Sequence, residues 1–312
     1  MSDTSSRLKR LSPWISVILF GLAAFLVSRT LRRHSLEEIV QSLGTISSTH
    51  LALGAAFTAG SYVCLTAADT LAIRYTKRDL PYRRIALASL ISLSIGHTLG
   101  LAGFSSGAVR YRFYTAWGLS ASDVGRIILF CGATVLLGLT TLGGIAALMQ
   151  SPLVAHMLGV DSGVVIAAGG ILLVLPAAYL AFTIVVRRTI YIRNFTLHLP
   201  PLTLAIGQIL VGTCDFLLVS AVLHQMLSAS AEIGFPRVAA VYVIANTAAI
   251  VSHVPGGLGV IEAVILSLVP GPNVIGALIA FRTMYFLIPF VLGSLLLGAF
   301  ELTHRRHRAS PG

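Results

Sequence analysis

Charge is what this sequence has least of. Only 11% of its 312 residues are Asp, Glu, Lys or Arg, against about 25% in average soluble chains. Apolar residues make up 56%. Too few charged side chains exist to clothe a water-facing surface, and a soluble globular enzyme is excluded. Lysine is scarcer still, with Lys9 and Lys77 the two lysines among 22 basic residues. The three cysteines, Cys64, Cys131 and Cys214, fall inside apolar runs with no metal or disulfide spacing and read as small buried hydrophobes. Catalytic signatures are lacking too: there is no His-Glu-x-x-His helix, no Walker A loop and no Gly-x-Ser-x-Gly elbow. The glycines of 256–259 do not follow a strand, so they do not read as a nucleotide loop. A Ser/His hydrolase built from Ser105 or Ser106 with His97 or His253 remains only a formal alternative. The expectation is a non-enzyme without cofactor or metal.

Basic residues outnumber the 11 acidic ones two to one. Nucleic-acid binding would need them on a folded soluble surface with interleaved aromatics, and no such surface is available. Their placement is better read against long apolar runs at 11–28, 49–73, 85–109, 127–149, 164–186, 202–229, 237–270 and 274–300. In a bilayer the unit is a span of about 20 apolar residues. Residues 1–312 therefore read as a single integral membrane domain, with no stretch left for a soluble one. The first run, flanked by Arg7, Lys9 and Arg10 before it and Arg29, Arg32 and Arg33 after it, reads as an uncleaved anchor. Between Arg126 and Arg187 the only strongly charged residue is Asp161, which marks a short turn between two spans. Residues 34–44 read as a short amphipathic helix at the interface, carrying Glu37 and Glu38 beside Leu36, Ile39 and Leu43.

Two runs are not ordinary spans. Residues 85–120 carry His97, Gly100, Gly103 and Gly107, then Arg110, Tyr111, Arg112, Phe113 and Tyr114. Residues 237–272 carry Asn246, His253, Pro255, Gly256, Gly257 and Gly259, then Glu262. Clustered glycine and proline break a helix, and broken backbone at membrane depth survives only inside protein or along a cavity. Treating both runs as hairpins that enter and leave on the same side puts 17 basic residues on the cytoplasmic side and four (Arg29, Arg32, Arg33, Arg237) outside, with Arg282 in the membrane. Treating them as full spans gives 12 against nine. The positive-inside rule prefers the hairpins. The predicted fold is all-α: six full spans plus two re-entrant or broken hairpins, eight membrane segments, with both termini cytoplasmic. It divides into inverted halves at 10–150 and 163–302. Thr98 and Gly107 match Thr247 and Gly256 at one offset, and Asp69 matches Asp215 at another. Paired interruptions in corresponding halves are the pattern of inverted-repeat transporters.

Ionisable residues inside apolar runs are costly, and each is a functional candidate. They are Asp69, His97, Arg110, Asp215, His253, Glu262 and Arg282. Asp69, four residues from the end of its run, also fits an interfacial position. Asp215 is mid-run and requires a partner or a cavity. Arg282 requires a carboxylate, backbone carbonyls or a lipid phosphate, and a salt bridge to Asp215 or Glu262 is an alternative to a substrate role. The histidines suit a hydrogen-bonding or a proton-carrying part. Glu262 suits a first-turn position favoured by the helix dipole. Arg110 and Arg112 can grip phosphate bidentately, and with the neighbouring rings they equally fit a positive, aromatic interfacial belt.

Gly100 to Tyr114 (GLAGFSSGAVRYRFY), Pro255 to Leu266 (PGGLGVIEAVIL) and Phe281 to Pro289 (FRTMYFLIP) resemble the transmembrane, flippase-type domain of the lysylphosphatidylglycerol synthetase/flippase family, including its short stand-alone inner-membrane members. The resemblance covers nearly the whole chain, and the Pro-Gly-Gly-Leu-Gly-Val-x-Glu stretch is its most specific part. It implies a multi-pass protein of the bacterial plasma membrane that moves anionic or aminoacylated phospholipids between leaflets. It points to Arg110 and Tyr114, to Pro255, Gly256, Gly257 and Glu262, and to Arg282, with Asp69 and Asp215 as intramembrane acids. Full-length members add a soluble aminoacyl-transferase domain, which these residues do not include, so lipid aminoacylation is not expected of them. The partners implied are a membrane phospholipid and either a second copy or a separate lipid-modifying enzyme. The expected substrate-binding set is Asp69, Arg110, Arg112, Tyr114, Asp215, His253, Glu262 and Arg282, with hinges at Gly107, Pro255, Gly256, Gly257 and Gly259. An ion-coupled transporter of a small solute or a polyprenyl phosphate, and a non-transporting accessory protein, are the competing readings.

Overall fold

The computed structural model describes residues 36–99, 102–185, 190–192, 195–197, 199–228, 232–269, 271 and 273–309. The expected anchor at 11–28 lies outside them. The architecture is all-α. Its helices are α1 (Leu36–Gly44), α2 (Ser48–Tyr75), α3 (Tyr82–Leu99), α4 (Ala102–Ala116), α5 (Ala121–Met149), α6 (Ser151–Leu158), α7 (Ser162–Val185), α8 (Leu202–Ser228), α9 (Phe235–Ser252), α10 (Val260–Leu268), α11 (Val274–Arg282) and α12 (Ile288–Ala309). A 3₁₀ turn at Pro255–Gly257 links α9 to α10, and a π turn at Thr283–Leu287 links α11 to α12. An antiparallel ribbon, β1 (Ile190–Ile192) and β2 (Phe195–Leu197), lies between α7 and α8.

Among the described residues, six helical stretches are long and apolar enough to cross a membrane: 48–75, 121–149, 162–185, 202–228, 235–252 and 274–301. This set differs from the expected six spans. The run at 11–28 is outside the described residues, and 235–252, expected as one arm of a hairpin, qualifies by its own length. Large apolar side chains face outward along these helices, among them Leu136, Ile171, Val174, Leu210 and Leu295. Water-facing surfaces rarely tolerate so extensive an apolar belt, whereas lipid does.

Helix ends follow local chemistry. α5 begins at 121, earlier than the apolar run suggests, because Ser120 and Asp123 form a reciprocal capping box. Pro152 and Pro236 sit in the first turns of α6 and α9, where a missing N–H costs nothing. The expected turn near Asp161 contains the extra helix α6, which Gly159 ends in a left-handed conformation.

α2 and α8 form the central pair. Gly54 lies against Met226, Gly60 against Leu218 and Gly207 against Leu71. One number falls as the other rises, so the two helices run antiparallel. α5 crosses α8 closely, with Gly138 on Gly212 backbone to backbone, where a Cβ on Gly138 would sit 2.3 Å from the Gly212 carbonyl carbon. Small residues permit such approaches in membrane helices, where packing rather than water exclusion drives association.

The interrupted runs both fold back. α3 and α4 lie together as a hairpin, and Arg78 before it meets Asp123 after it at 2.9 Å. α9 and α10 do the same, with the Arg237 guanidinium donating to the Leu268 carbonyl at 3.4 Å across the base. The first hairpin therefore opens where α2 ends, and the second where α8 ends. Since α2 and α8 are antiparallel, the hairpins enter from opposite ends of the helix bundle. Their tips meet: a Cβ on Gly256 would lie 2.9 Å from the Thr98 carbonyl oxygen and 3.5 Å from that of His97.

Candidate functional site

Three polar centres lie within the bundle. In the first, the Arg110 guanidinium grips Asp69 bidentately, Nε and Nη2 each donating at 2.8 Å. Tyr114 donates its hydroxyl to Oδ1 at 3.2 Å, and the Cys131 thiol lies 3.8 Å from the same oxygen. Asp69 and Arg110 are 0% and 4% exposed. The charges come from α2 and α4, so the pair pins the second arm of the first hairpin to the central helix. Asp69 is buried by protein. Arg112, two residues on, pairs with Glu301 of α12, and Gly107 sits against Ile128 of α5, 3.1 Å from where a Cβ would be.

The second centre joins the two halves of the Pro-Gly-Gly-Leu-Gly-Val-x-Glu stretch through Arg282. Its Nε donates to Glu262 Oε1 at 2.6 Å and its Nη2 to Oε2 at 3.1 Å. Nη1 donates to the Gly256 carbonyl at 2.6 Å and Nη2 to that of Gly257 at 2.9 Å. Glu262 Oε2 also accepts the Gly259 N–H at 2.8 Å. Gly256, Gly257 and Gly259 have φ of 61°, 58° and 88°, values that favour glycine. That backbone turns its carbonyls toward one point, and the planar guanidinium with its fixed donors fits it as an ammonium would not. The cation also lies 4.7 Å from the Phe286 ring centroid. Of the two partners sequence left open for Arg282, the structure selects Glu262. This pair is the more accessible one, with side chains 15% and 26% exposed. His253, an exposed left-handed residue ending α9, donates through Nδ1 to the Val251 carbonyl, 2.8 Å away. Pro255 is exposed beside it.

The third centre is Asp215, midway along α8 and buried. Ser61, midway along α2, donates to its Oδ1 at 2.5 Å, and the Ser61 and Tyr285 hydroxyls are 3.0 Å apart. Tyr285 belongs to the π turn directly after Arg282. π turns within helices recur at functional sites. Among the described residues, no cation lies within salt-bridge range of Asp215. Ser61 and Tyr285 escape sequence reasoning. Serine and tyrosine are unremarkable inside apolar runs, and the only signal was the place of Tyr285 within the Phe281-to-Pro289 stretch. Among the described residues no group of three or more His, Cys, Asp or Glu is placed to hold a metal ion.

These features define a polytopic helical membrane protein whose interrupted helices are braced by one buried and one partly buried ion pair. No model of a known protein family matches the chain. It is 33% identical over 302 residues to the protein slr0712 of Synechocystis, covering 94% of this chain and 93% of that one. It is 30% identical over 258 residues to the inner membrane protein YbhN of Escherichia coli, covering 80% and 79%. The chain belongs to the family these two proteins represent. It is also 23% identical over 295 residues to a phosphatidylglycerol lysyltransferase of Staphylococcus haemolyticus, where the match takes 92% of this chain but only 33% of the relative.

Proposed function

We propose that this chain is a phospholipid translocase of the bacterial inner membrane, acting on anionic or aminoacylated lipids. The carrying observation is the meeting of two hairpin tips, entering from opposite ends of the bundle, beside the partly accessible Arg282–Glu262 pair. A phosphate in hydrocarbon needs a cation, and an ammonium needs a carboxylate, because each unsatisfied charge costs several kcal/mol or more. An aminoacylated headgroup carries both. Such a headgroup can exchange with an Arg–carboxylate pair, its phosphate taking Arg282 and an amine Glu262, so that neither member of the pair is left without a counter-charge. Arg112 and His253 lie on the two hairpins that would admit the headgroup. The Asp69–Arg110–Tyr114 centre, saturated and buried, holds the first hairpin in place for this exchange. The likeness to a phosphatidylglycerol lysyltransferase supports a lipid substrate. The antiparallel α2 and α8 support inverted halves at 10–150 and 163–302, and the hairpins then re-enter the membrane from opposite faces. Transport so arranged involves no covalent chemistry. A second reading, an ion-coupled transporter of a small solute or polyprenyl phosphate, draws support from the isolated carboxylate at Asp215.

The decisive assay uses fluorescently labelled phosphatidylglycerol and its lysyl ester in proteoliposomes, with chemical bleaching of the outer leaflet. The protein is expected to speed the loss of inner-leaflet fluorescence well beyond that of protein-free vesicles. Equal rates would overturn the lipid reading.

The orientation has its own test. In a chain lacking Cys64, Cys131 and Cys214, single cysteines at Lys77 and Ala116 should label from the cytoplasm. Cysteines at Val160 and Glu232 should label from the other face. All four positions are on exposed stretches. Labelling of Lys77→Cys and Ala116→Cys from different sides would mean that α3 and α4 do not return together.

A further inference from the structure

We infer that Asp215, with Ser61 and Tyr285, forms a proton-binding site whose occupancy sets the position of the Arg282 turn. This inference rests on the transport reading above and supplies its driving ion. The site stands at the middle of both central helices, beside the π turn that directly follows Arg282. In the arrangement seen, every hydroxyl proton runs toward the carboxylate. Ser61 donates to Asp215, so its oxygen is left to accept from Tyr285.

Adding a proton to Asp215 reverses the chain. The new O–H donates to Ser61, Ser61 donates to Tyr285, and the phenol proton must find another acceptor. No bond other than the new O–H forms, and nothing is oxidised or reduced. The reversal ends on Tyr285, whose ring stacks on Phe281 with centroids 6.0 Å apart and on His97 at 6.1 Å. Phe281 directly precedes Arg282, and His97 lies at the tip of the first hairpin against Gly256. A change at Tyr285 is thus felt by the turn that binds Arg282 and by both hairpin tips.

Two buried polar atoms near this chain have no hydrogen-bond partner: the Tyr62 hydroxyl and His97 Nδ1. The Tyr62 ring is 6.1 Å from that of Tyr285. Such unpaired buried groups are rare and costly, and they offer the acceptors a reversed chain needs. The other titratable groups facing Asp215 are Cys64 from α2, Cys214 beside it on α8 and Tyr242 from α9, with Arg282 acting on Tyr242. Among the described residues none of these groups closes a salt bridge on Asp215, and the Ser61 hydroxyl is what donates to its carboxylate. A sodium ion fits less well, since Asp215 Oδ1 and the Ser61 and Tyr285 hydroxyls are committed to one directional chain, leaving Asp215 Oδ2. Hard cations take about six or more oxygen ligands turned toward them.

The test is infrared difference spectroscopy of the purified full chain in lipid, between mildly alkaline and mildly acidic buffer. A protonated carboxyl band that shifts in heavy water should appear on acidification, vanish in Asp215→Asn and move in Ser61→Ala and Tyr285→Phe. The two hydroxyl variants carry the test if Asp215→Asn does not fold. A band unchanged in all three variants overturns the proton site. In proteoliposomes an imposed pH gradient, and not a sodium gradient, should accelerate lipid movement. Acceleration by sodium alone overturns the proton assignment. A titrating Asp215 band in a wild-type protein that moves no lipid would leave the proton site standing and overturn the lipid reading.

Discussion

Asp69→Ala is expected to cost the fold about 3–5 kcal/mol, the range seen when one member of a buried ion pair is removed. The cause is Arg110. With its side chain 4% exposed and its Nε and Nη2 both committed to Asp69, it would keep its charge and lose its acceptor. Tyr114 would lose the same acceptor. Arg110 cannot escape by deprotonating, and it projects from the middle of α4, too deep for its stem to reach water without opening the hairpin. Replacing the pair by apolar residues of similar volume, Asp69→Leu with Arg110→Met, removes both charges, so most of the loss should return. Thermal and denaturant unfolding of the three variants in detergent would measure this, with the two single losses far from additive. A single-variant loss below about 1 kcal/mol, typical of exposed pairs, would show that the pair is not what holds α4 against α2.

The same pair shows what sequence can and cannot convey. That Asp69 and Arg110 were costly in an apolar chain was legible from composition and position alone. That they belong to each other was not, because 41 residues and a helix reversal separate them. The break in 85–120 was legible in its glycines, and α3 and α4 pack as a hairpin with Arg78 and Asp123 closing its base. The second hairpin was legible in Pro255, Gly256 and Gly257, yet α9 proved long enough to count as a span by itself. Hydropathy measures length and apolarity, and an 18-residue helix of about 27 Å satisfies it whether or not the chain then turns back. The helix α6 and the β1–β2 ribbon were missed because each is too short for a periodic pattern to show. Asp215 was recognised, but its partners Ser61 and Tyr285 were not. A hydroxyl inside a membrane helix usually bonds the carbonyl three or four residues back, as Thr58, Thr134 and Ser220 do here, so only packing reveals the exceptions.

Arg282→Lys is expected to leave a folded protein that no longer moves lipid, and Arg282→Ala to lose both transport and about 2–4 kcal/mol of stability. The guanidinium makes four hydrogen bonds in one plane, two to Glu262 and one each to the Gly256 and Gly257 carbonyls. Lysine keeps the charge beside Glu262, but its three donors radiate from one atom and cannot follow that fork. It would hold either the carboxylate or the turn. Alanine leaves two carbonyls and a carboxylate without their donor, although partial exposure of both side chains lets water recover some of that cost. Glu262→Gln separates the roles differently: an amide oxygen still accepts from Gly259 and from Arg282, so the turn survives while the charge that would receive an amine is gone. Transport of the lysyl ester should then fall more steeply than transport of unmodified phosphatidylglycerol. Fluorescent-lipid movement in proteoliposomes, read beside unfolding midpoints for the same preparations, distinguishes these outcomes. If Arg282→Lys moved both lipids at the wild-type rate, the forked grip would be only a brace for the turn, and the phosphate would have to be held elsewhere.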